Sequence, residues 1–189
     1  VLMLVTYLTT AAVGVLLVKY RGEVRGESLV KAVDLDVPAA GSRTLLFGLG
    51  GYVIAVPVVV VLYYVGAMFF GPGEGPNPAI PVLLGSPSSM ERWVIVANVV
   101  VLAPLFEEFF FRGFLFQQFR GMLGAAHAMA LSGLVFAAAH QSIDQFLPLL
   151  GLGVILAAVY HYSQSLWASM LTHALWNTGT IVGIYVLYS

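Results

Sequence analysis

Residues 104–116 read PLFEEFFFRGFLF, so two adjacent glutamates and an arginine lie among aromatic and aliphatic residues. An ionisable group at the centre of a membrane-spanning helix costs at least ~2.5–3.5 kcal/mol on insertion scales, which makes it a functional candidate by default. Glu108 and Arg112 are four residues apart with the acid first, an order that favours an ion pair on one helical face. The simplest interpretation of Glu108 is therefore a partner that lets Arg112 stay buried.

Glu107 differs from its neighbour because it lies about 100° around the helix from Glu108. No basic residue stands three or four positions from it in either direction. An unpaired glutamate in apolar surroundings can take and give protons near neutrality, as a general base must. The alternative is purely structural: Glu107 would be a second acidic partner of Arg112.

The composition of the chain indicates a membrane protein. Of its 189 residues, 60% are hydrophobic and 9% charged, and the mean hydropathy is +0.93. A soluble domain carries about a quarter charged residues. A formal net charge of −1 gives no electrostatic basis for binding nucleic acid. Because cysteine is absent, disulfides, thiolate metal sites and a cysteine nucleophile are excluded.

Apolar segments of spanning or near-spanning length predict an all-α, polytopic transmembrane bundle of about six helices, with short interfacial segments. The segments are 1–18, 44–70, 93–120, 125–140, 146–162 and 166–189. A polar loop, 19–43, and a Pro-rich loop, 71–92, separate the first three. Residues 1–189 are expected to form one membrane domain of a multi-pass protein, located in the plasma membrane of a prokaryote. The distribution of Lys and Arg favours a cytoplasmic first and third connection.

Polar residues also occur in the later apolar segments. His140 ends the stretch SGLVFAAAH, and His173 and Asn177 stand four apart in THALWN. Taken singly, His140 has a simpler interpretation as a polar group that ends a span. The His173 and Asn177 pair alone could be an interhelical hydrogen bond worth roughly 0.6–2 kcal/mol.

Together, Glu107, His140, His173 and Asn177 come from three helices, and each side chain must face protein or water rather than lipid. They are predicted to converge on one cavity. A carboxylate and a histidine can activate water, while a second histidine and an amide can donate hydrogen bonds to a developing oxyanion. This set suits hydrolysis of an amide by water. A fourth helix that crossed the whole membrane would, however, carry His140 away from His173.

Three short motifs follow one another in this chain: EEFFFR at 107–112, FAAAH at 136–140 and HALWN at 173–177. They resemble the motifs E-E-x-x-x-R, F-x-x-x-H and H-x-x-x-N of the CPBP intramembrane proteases, also called the ABI or CAAX-protease family. That family includes the type II CAAX prenyl endopeptidases. The resemblance covers roughly residues 93–187, which it identifies as similar to the family's catalytic core.

The resemblance implies a function and a set of site residues. It implies an endopeptidase that acts on a peptide or protein substrate at the lipid bilayer, such as a lipidated peptide. The site residues carried over are Glu107, Glu108, Arg112, His140, His173 and Asn177. Glu107 and His140 would activate the water, and His173 and Asn177 would form the oxyanion hole. The buried ion pair of the first motif would support the site.

The involvement of a metal stays open at this stage. Members of the family have been described as metalloproteases, and Glu107, His140 and His173 could form a His₂Glu set for a divalent metal such as zinc. Metal-free, glutamate-dependent hydrolysis is favoured. Asn177 suits an oxyanion better than a metal, and the chain has no H-E-x-x-H helix.

Other functions are compatible with the same residues. Acids and histidines in spanning helices also serve transporters and proton relays, which would place them at staggered depths rather than around one point. A non-catalytic family member could act as a bacteriocin-immunity or binding protein in the membrane. A serine nucleophile is less favoured, because Ser132 and Ser169 lack an evident His–Asp relay and no G-x-S-x-G occurs.

Overall fold

The computed structural model describes residues 41–71 and 88–188 continuously, with scattered positions between 14 and 33 and residue 85. This part of the chain forms five helices and no strand. They are α1 (Ser42–Phe70), α2 (Ser89–Leu123), α3 (Ala125–Ala139), α4 (Phe146–Ser163) and α5 (Leu166–Tyr188). The prediction of an all-helical bundle is confirmed. Five of the six predicted segments coincide with these helices; the first, 1–18, and most of both predicted loops lie outside the described residues.

Three of the described helices, α1, α2 and α4, are long and apolar enough to cross a membrane. Helix α3 is apolar but has only 15 residues. At 1.5 Å per residue it is about 22 Å long, which is less than a hydrocarbon core of ~30 Å. A complete crossing by the fourth predicted segment is therefore not observed. His140 caps the end of this helix and its ring lies beside that of Phe136, which in turn lies beside the ring of His173 on α5.

Contacts between helix ends define one end of the bundle. The guanidinium of Arg43, at the start of α1, donates to the carbonyl oxygen of Tyr162 at 2.9 Å. The side-chain amide of Gln117, near the end of α2, donates to the hydroxyl of Tyr160. The start of α1, the end of α2 and the α4–α5 turn therefore lie together.

Glycines allow the helices to approach one another closely. A Cβ added to Gly153 of α4 would lie 2.7 Å from the Cα of Gly133 in α3. A Cβ added to Gly51 of α1 would lie 2.5 Å from a methyl carbon of Val159 in α4. Small residues at such crossings are how membrane helices bring their backbones together. Helix α4 consequently packs at the centre of the bundle, against α1, α3 and α5.

Helix α2 is not a regular α-helix. It is π-helical at Asn98–Leu102 and again at Phe109–Phe116. Between these lies the α-helical segment Ala103–Glu108, which carries both glutamates. A π-helical turn adds a residue and releases backbone groups from the regular ladder, and such turns are frequent at functional sites.

Candidate functional site

The ion pair favoured by the spacing in the first motif is formed. Nη1 of Arg112 donates to Oε1 of Glu108 at 2.7 Å, and both side chains are completely buried. Nη2 of Arg112 donates to the carbonyl oxygen of Gly153 at 2.9 Å. The guanidinium carbon lies 4.8 Å from the centre of the Phe136 ring, within range of a cation–π interaction. Arg112 thus connects α2 with both α3 and α4.

Glu108 accepts hydrogen bonds from two further donors, both on α5. Nδ1 of His173 lies 2.8 Å from the Oε1 that Arg112 also contacts. The hydroxyl of Ser169 donates to Oε2 at 2.5 Å. An ionised carboxylate can only accept hydrogen bonds, so His173 must carry a proton on Nδ1. The other ring nitrogen of His173, Nε2, lies on the side of Glu107.

Glu107 faces the free side of this imidazole. Its Oε2 is buried, makes no hydrogen bond and lies 3.8 Å from Nε2 of His173. That separation is too long for a hydrogen bond. Within the described residues, the ion pair of Arg112 is formed with Glu108 and not with Glu107. The two adjacent glutamates therefore have different surroundings, and the structural alternative for Glu107 as a second partner of Arg112 is not observed.

His140 reaches the same region from α3. It caps the end of that helix, and its Nδ1 lies 2.8 Å from the carbonyl oxygen of Phe136. Since a carbonyl only accepts, the proton is on Nδ1 and Nε2 is the acceptor of the neutral ring. The Phe136 ring lies 4.6 Å from the ring of His140 and 5.7 Å from that of His173. Both imidazoles therefore lie beside the same phenylalanine ring, and no hydrogen bond joins His140 to Glu107 in the part of the chain described.

Asn177 is held by a backbone carbonyl released in the first π-helical segment. The N–H of Ala103 bonds to the carbonyl of Asn98, five residues earlier, and continuing this pattern would pair residue 104 with Val99. Residue 104 is proline and has no N–H to donate. The side-chain amide of Asn177 donates to the Val99 carbonyl instead, at 2.8 Å. The sequence alone thus contains the reason why α2 offers an acceptor to α5.

Ser169 contributes to the site in a way that the sequence analysis missed. There it was weighed only as a nucleophile, whereas in the structure it is a fully buried donor to Glu108. The available signal was its position four residues before His173, which places both side chains on one face of α5. The other serine considered, Ser132, lies near the carbonyl of Phe111 at 3.4 Å and contacts no acid or histidine among the described residues.

The possible metal ligands do not converge. No group of three or more histidine, aspartate and glutamate side chains in residues 41–71 and 88–188 is placed to hold a metal ion. Nδ1 of His140 is bonded to a backbone carbonyl, and Nδ1 of His173 is bonded to Glu108. The set Glu107, His140 and His173 therefore does not fit a metal centre in this arrangement, and no reaction step is derived through one.

The arrangement can accept and return a proton. A carboxylate oxygen without a hydrogen bond, on Glu107, lies beside an imidazole nitrogen of His173, and that imidazole is held from behind by Glu108. His173 is 3% exposed and Glu108 is not exposed at all, whereas the side chain of Glu107 is 16% exposed. Low dielectric strengthens each of these charge interactions. These are the properties of a site for general acid–base chemistry.

Comparison with known proteins gives one match. Residues 89–179 match the protein-family model described as type II CAAX prenyl endopeptidase Rce1-like, and this region contains all three motifs. Neither a curated protein nor a solved structure matches the chain. The match confirms the resemblance that the motifs predict, and at the level of the family it supports an intramembrane endopeptidase.

Proposed function

Because residues 89–179 match the Rce1-like type II CAAX prenyl endopeptidase family model, we propose that this chain is a multi-pass intramembrane endopeptidase that uses water activated by Glu107. Its substrate would be a membrane-associated or lipidated peptide. One observation carries the proposal: the buried Oε2 of Glu107 has no hydrogen bond and lies 3.8 Å from Nε2 of His173. Two polar atoms at this distance are both within hydrogen-bond reach of a single water oxygen beside them.

In the proposed reaction, Glu107 takes a proton from water while the water oxygen forms a bond to the carbonyl carbon of the substrate. The carbonyl double bond opens and its oxygen becomes an oxyanion. Collapse of this intermediate breaks the bond between carbon and nitrogen. The leaving nitrogen takes up the proton that Glu107 accepted from water, which returns Glu107 to its ionised form. His140, whose Nε2 is the open nitrogen of its ring, would assist these proton transfers from the α3 side.

His173 and Asn177 would stabilise the oxyanion. Nδ1–H of His173 already bonds to Glu108, so the ring can donate from Nε2 only when both nitrogens are protonated. In that state the imidazolium would keep its bond to Glu108 through Nδ1 and present Nε2–H to the oxyanion. The amide of Asn177 has two hydrogens, and one of them is used by the Val99 carbonyl. The second can donate to the oxyanion.

The geometry favours this function over a proton relay. A relay needs acids and histidines at successive depths, so that a proton can cross the membrane. Here both glutamates of the first motif lie beside one imidazole, with nitrogen–oxygen distances of 2.8 Å to Glu108 and 3.8 Å to Glu107. This grouping of three side chains supports hydrolysis at one point over a path of successive proton carriers.

The test uses the purified protein in detergent or liposomes and a panel of membrane-proximal peptides, including prenylated C-terminal peptides. Glu107→Gln removes the general base and is expected to lower kcat by about 10²–10⁴-fold while the thermal unfolding temperature stays at the wild-type value. Glu91→Gln is the matched control. Glu91 is exposed and closes a capping box with Ser88 at the start of α2, a role that glutamine also fills.

Two results would count against the proposed mechanism. Wild-type turnover in Glu107→Gln would remove Glu107 from the mechanism. A folded wild-type protein that binds peptides but cleaves none would favour the binding function instead. Because the ligand set does not converge, activity is expected to survive dialysis against EDTA. Loss of activity that added Zn²⁺ restores would overturn the metal-free form of the mechanism.

A further inference from the structure

We propose that Ser169 is a positioning residue that fixes the carboxylate of Glu108, and through it the orientation and tautomer of His173. The inference rests on the proposed function for its kinetic consequence, but its structural part can be tested without activity. Ser169 would not contact the substrate. It acts from the opposite side of Glu108, buried at the contact between α2 and α5.

The hydroxyl of Ser169 has one hydrogen and two acceptors within reach. Oε2 of Glu108 lies at 2.5 Å and the carbonyl oxygen of Leu156 at 3.0 Å. Hydrogen bonds to an ionised acceptor are shorter and stronger than those between neutral groups. The hydroxyl of Ser169 therefore donates its hydrogen bond to the carboxylate of Glu108 and not to the Leu156 carbonyl. The hydroxyl is thereby directed at Glu108, and Ser169 is completely buried, so water cannot replace it.

The other contacts of Glu108 do not determine the orientation of its carboxylate plane. Arg112 and His173 both donate to Oε1 of Glu108, and Oε2 accepts its hydrogen bond from the hydroxyl of Ser169. The terminal torsion of a glutamate is soft, so its hydrogen bonds and not its own rotamer preference set the plane. Without Ser169, Oε2 would be a buried carboxylate oxygen without a donor. The carboxylate would rotate to share its remaining donors, and the bond to Nδ1 of His173 would lose its alignment.

The kinetic test compares Ser169→Ala with Ser132→Ala. Both serines are completely buried, but Ser132 lies near a backbone carbonyl of α2 and not near the carboxylate. Ser169→Ala is expected to lower kcat by about 10- to 100-fold, the size of a lost hydrogen bond to a charged group, with KM within about twofold of wild type. Ser132→Ala is expected to leave both parameters close to wild type. Equal effects of the two substitutions would overturn the inference.

The second readout is independent of turnover. The chain has four histidines, so ¹⁵N-histidine spectra can be assigned by comparison with His173→Ala. The wild type is expected to show His173 protonated on Nδ1, and Ser169→Ala is expected to shift the His173 ring signals and leave those of the other three histidines in place. Unchanged His173 signals in folded Ser169→Ala would refute the positioning role. If the signals shift but the wild type cleaves no peptide, the proposed function fails while the positioning of His173 stands.

Discussion

Replacing Arg112 by methionine tests whether the buried ion pair holds the bundle together. Methionine keeps much of the length and the packing over Phe136 but removes the charge, which leaves Glu108 buried without its cation. Breaking a buried pair by removing one partner costs about 3–5 kcal/mol of unfolding free energy. Ser169 and His173 continue to donate to the carboxylate, so we expect a loss near the lower limit, about 3 kcal/mol.

The double variant Glu108→Gln/Arg112→Met makes this test specific. Glutamine carries no charge, and its carbonyl oxygen still offers an acceptor to Ser169 and His173. The double variant is therefore expected to lose only about 1 kcal/mol of unfolding free energy. The coupling energy between the two positions is then about 2 kcal/mol or more. Denaturant unfolding in micelles, followed by tryptophan fluorescence, measures it, because Trp176 lies three residues from His173 on α5.

The control for that experiment is Arg92→Met, at an exposed position near the start of α2. Because the interactions of an exposed charge are worth about 1 kcal/mol or less, this substitution is expected to lower the unfolding free energy by no more than that. Two outcomes would refute the reasoning. One is an Arg112→Met protein within about 1 kcal/mol of wild type. The other is a double variant whose cost equals the sum of the two single substitutions, since independent sites add and coupled sites do not.

Two further substitutions test how the backbone positions the site. In Gly153→Ala, a Cβ would lie 2.7 Å from the α3 backbone, so we expect a loss of about 1–3 kcal/mol in the same unfolding assay. Gly50→Ala, where no atom lies within 4 Å of the added Cβ, should not destabilise; an equal loss there would contradict the packing argument. Pro104→Ala supplies an N–H that can compete with Asn177 for the Val99 carbonyl, so kcat should fall while stability is maintained. Unchanged kcat would show that this carbonyl does not position the amide.

Much of the architecture could be predicted because it depends on features that the chain displays locally. The lengths of the apolar segments predicted where the helices lie, and the observed boundaries of α3, α4 and α5 agree closely with the predicted ones. The pairing of Glu108 with Arg112 also followed from a local rule, since residues four apart share a helical face. The ion pair between Glu108 and Arg112 is formed in the structure although Arg112 lies in a π-helical segment.

The parts of the site that could not be predicted depend on tertiary contacts. Pro104 indicates that a backbone carbonyl of α2 is left free, but not that the amide of Asn177 on α5 donates to it. Periodicity carries no information about such partners. For the same reason the sequence could not show that Phe136 would lie beside both His140 and His173, or that Ser169 would donate to Glu108. Both relations require the packing of three helices.

The charges of the cluster explain why two glutamates occur in so apolar a stretch. Two ionised carboxylates against the single guanidinium of Arg112 leave one net negative charge, and an unbalanced charge in low dielectric is costly. His173 lies between the two acids, with Nδ1 at 2.8 Å from Glu108 and Nε2 at 3.8 Å from Glu107. A second proton on this imidazole makes the cluster neutral. In the proposed mechanism Glu107 serves as the base, while Glu108 holds Arg112 and His173 in place. Glu108→Gln should therefore lower both stability and kcat, whereas Glu107→Gln should lower kcat alone.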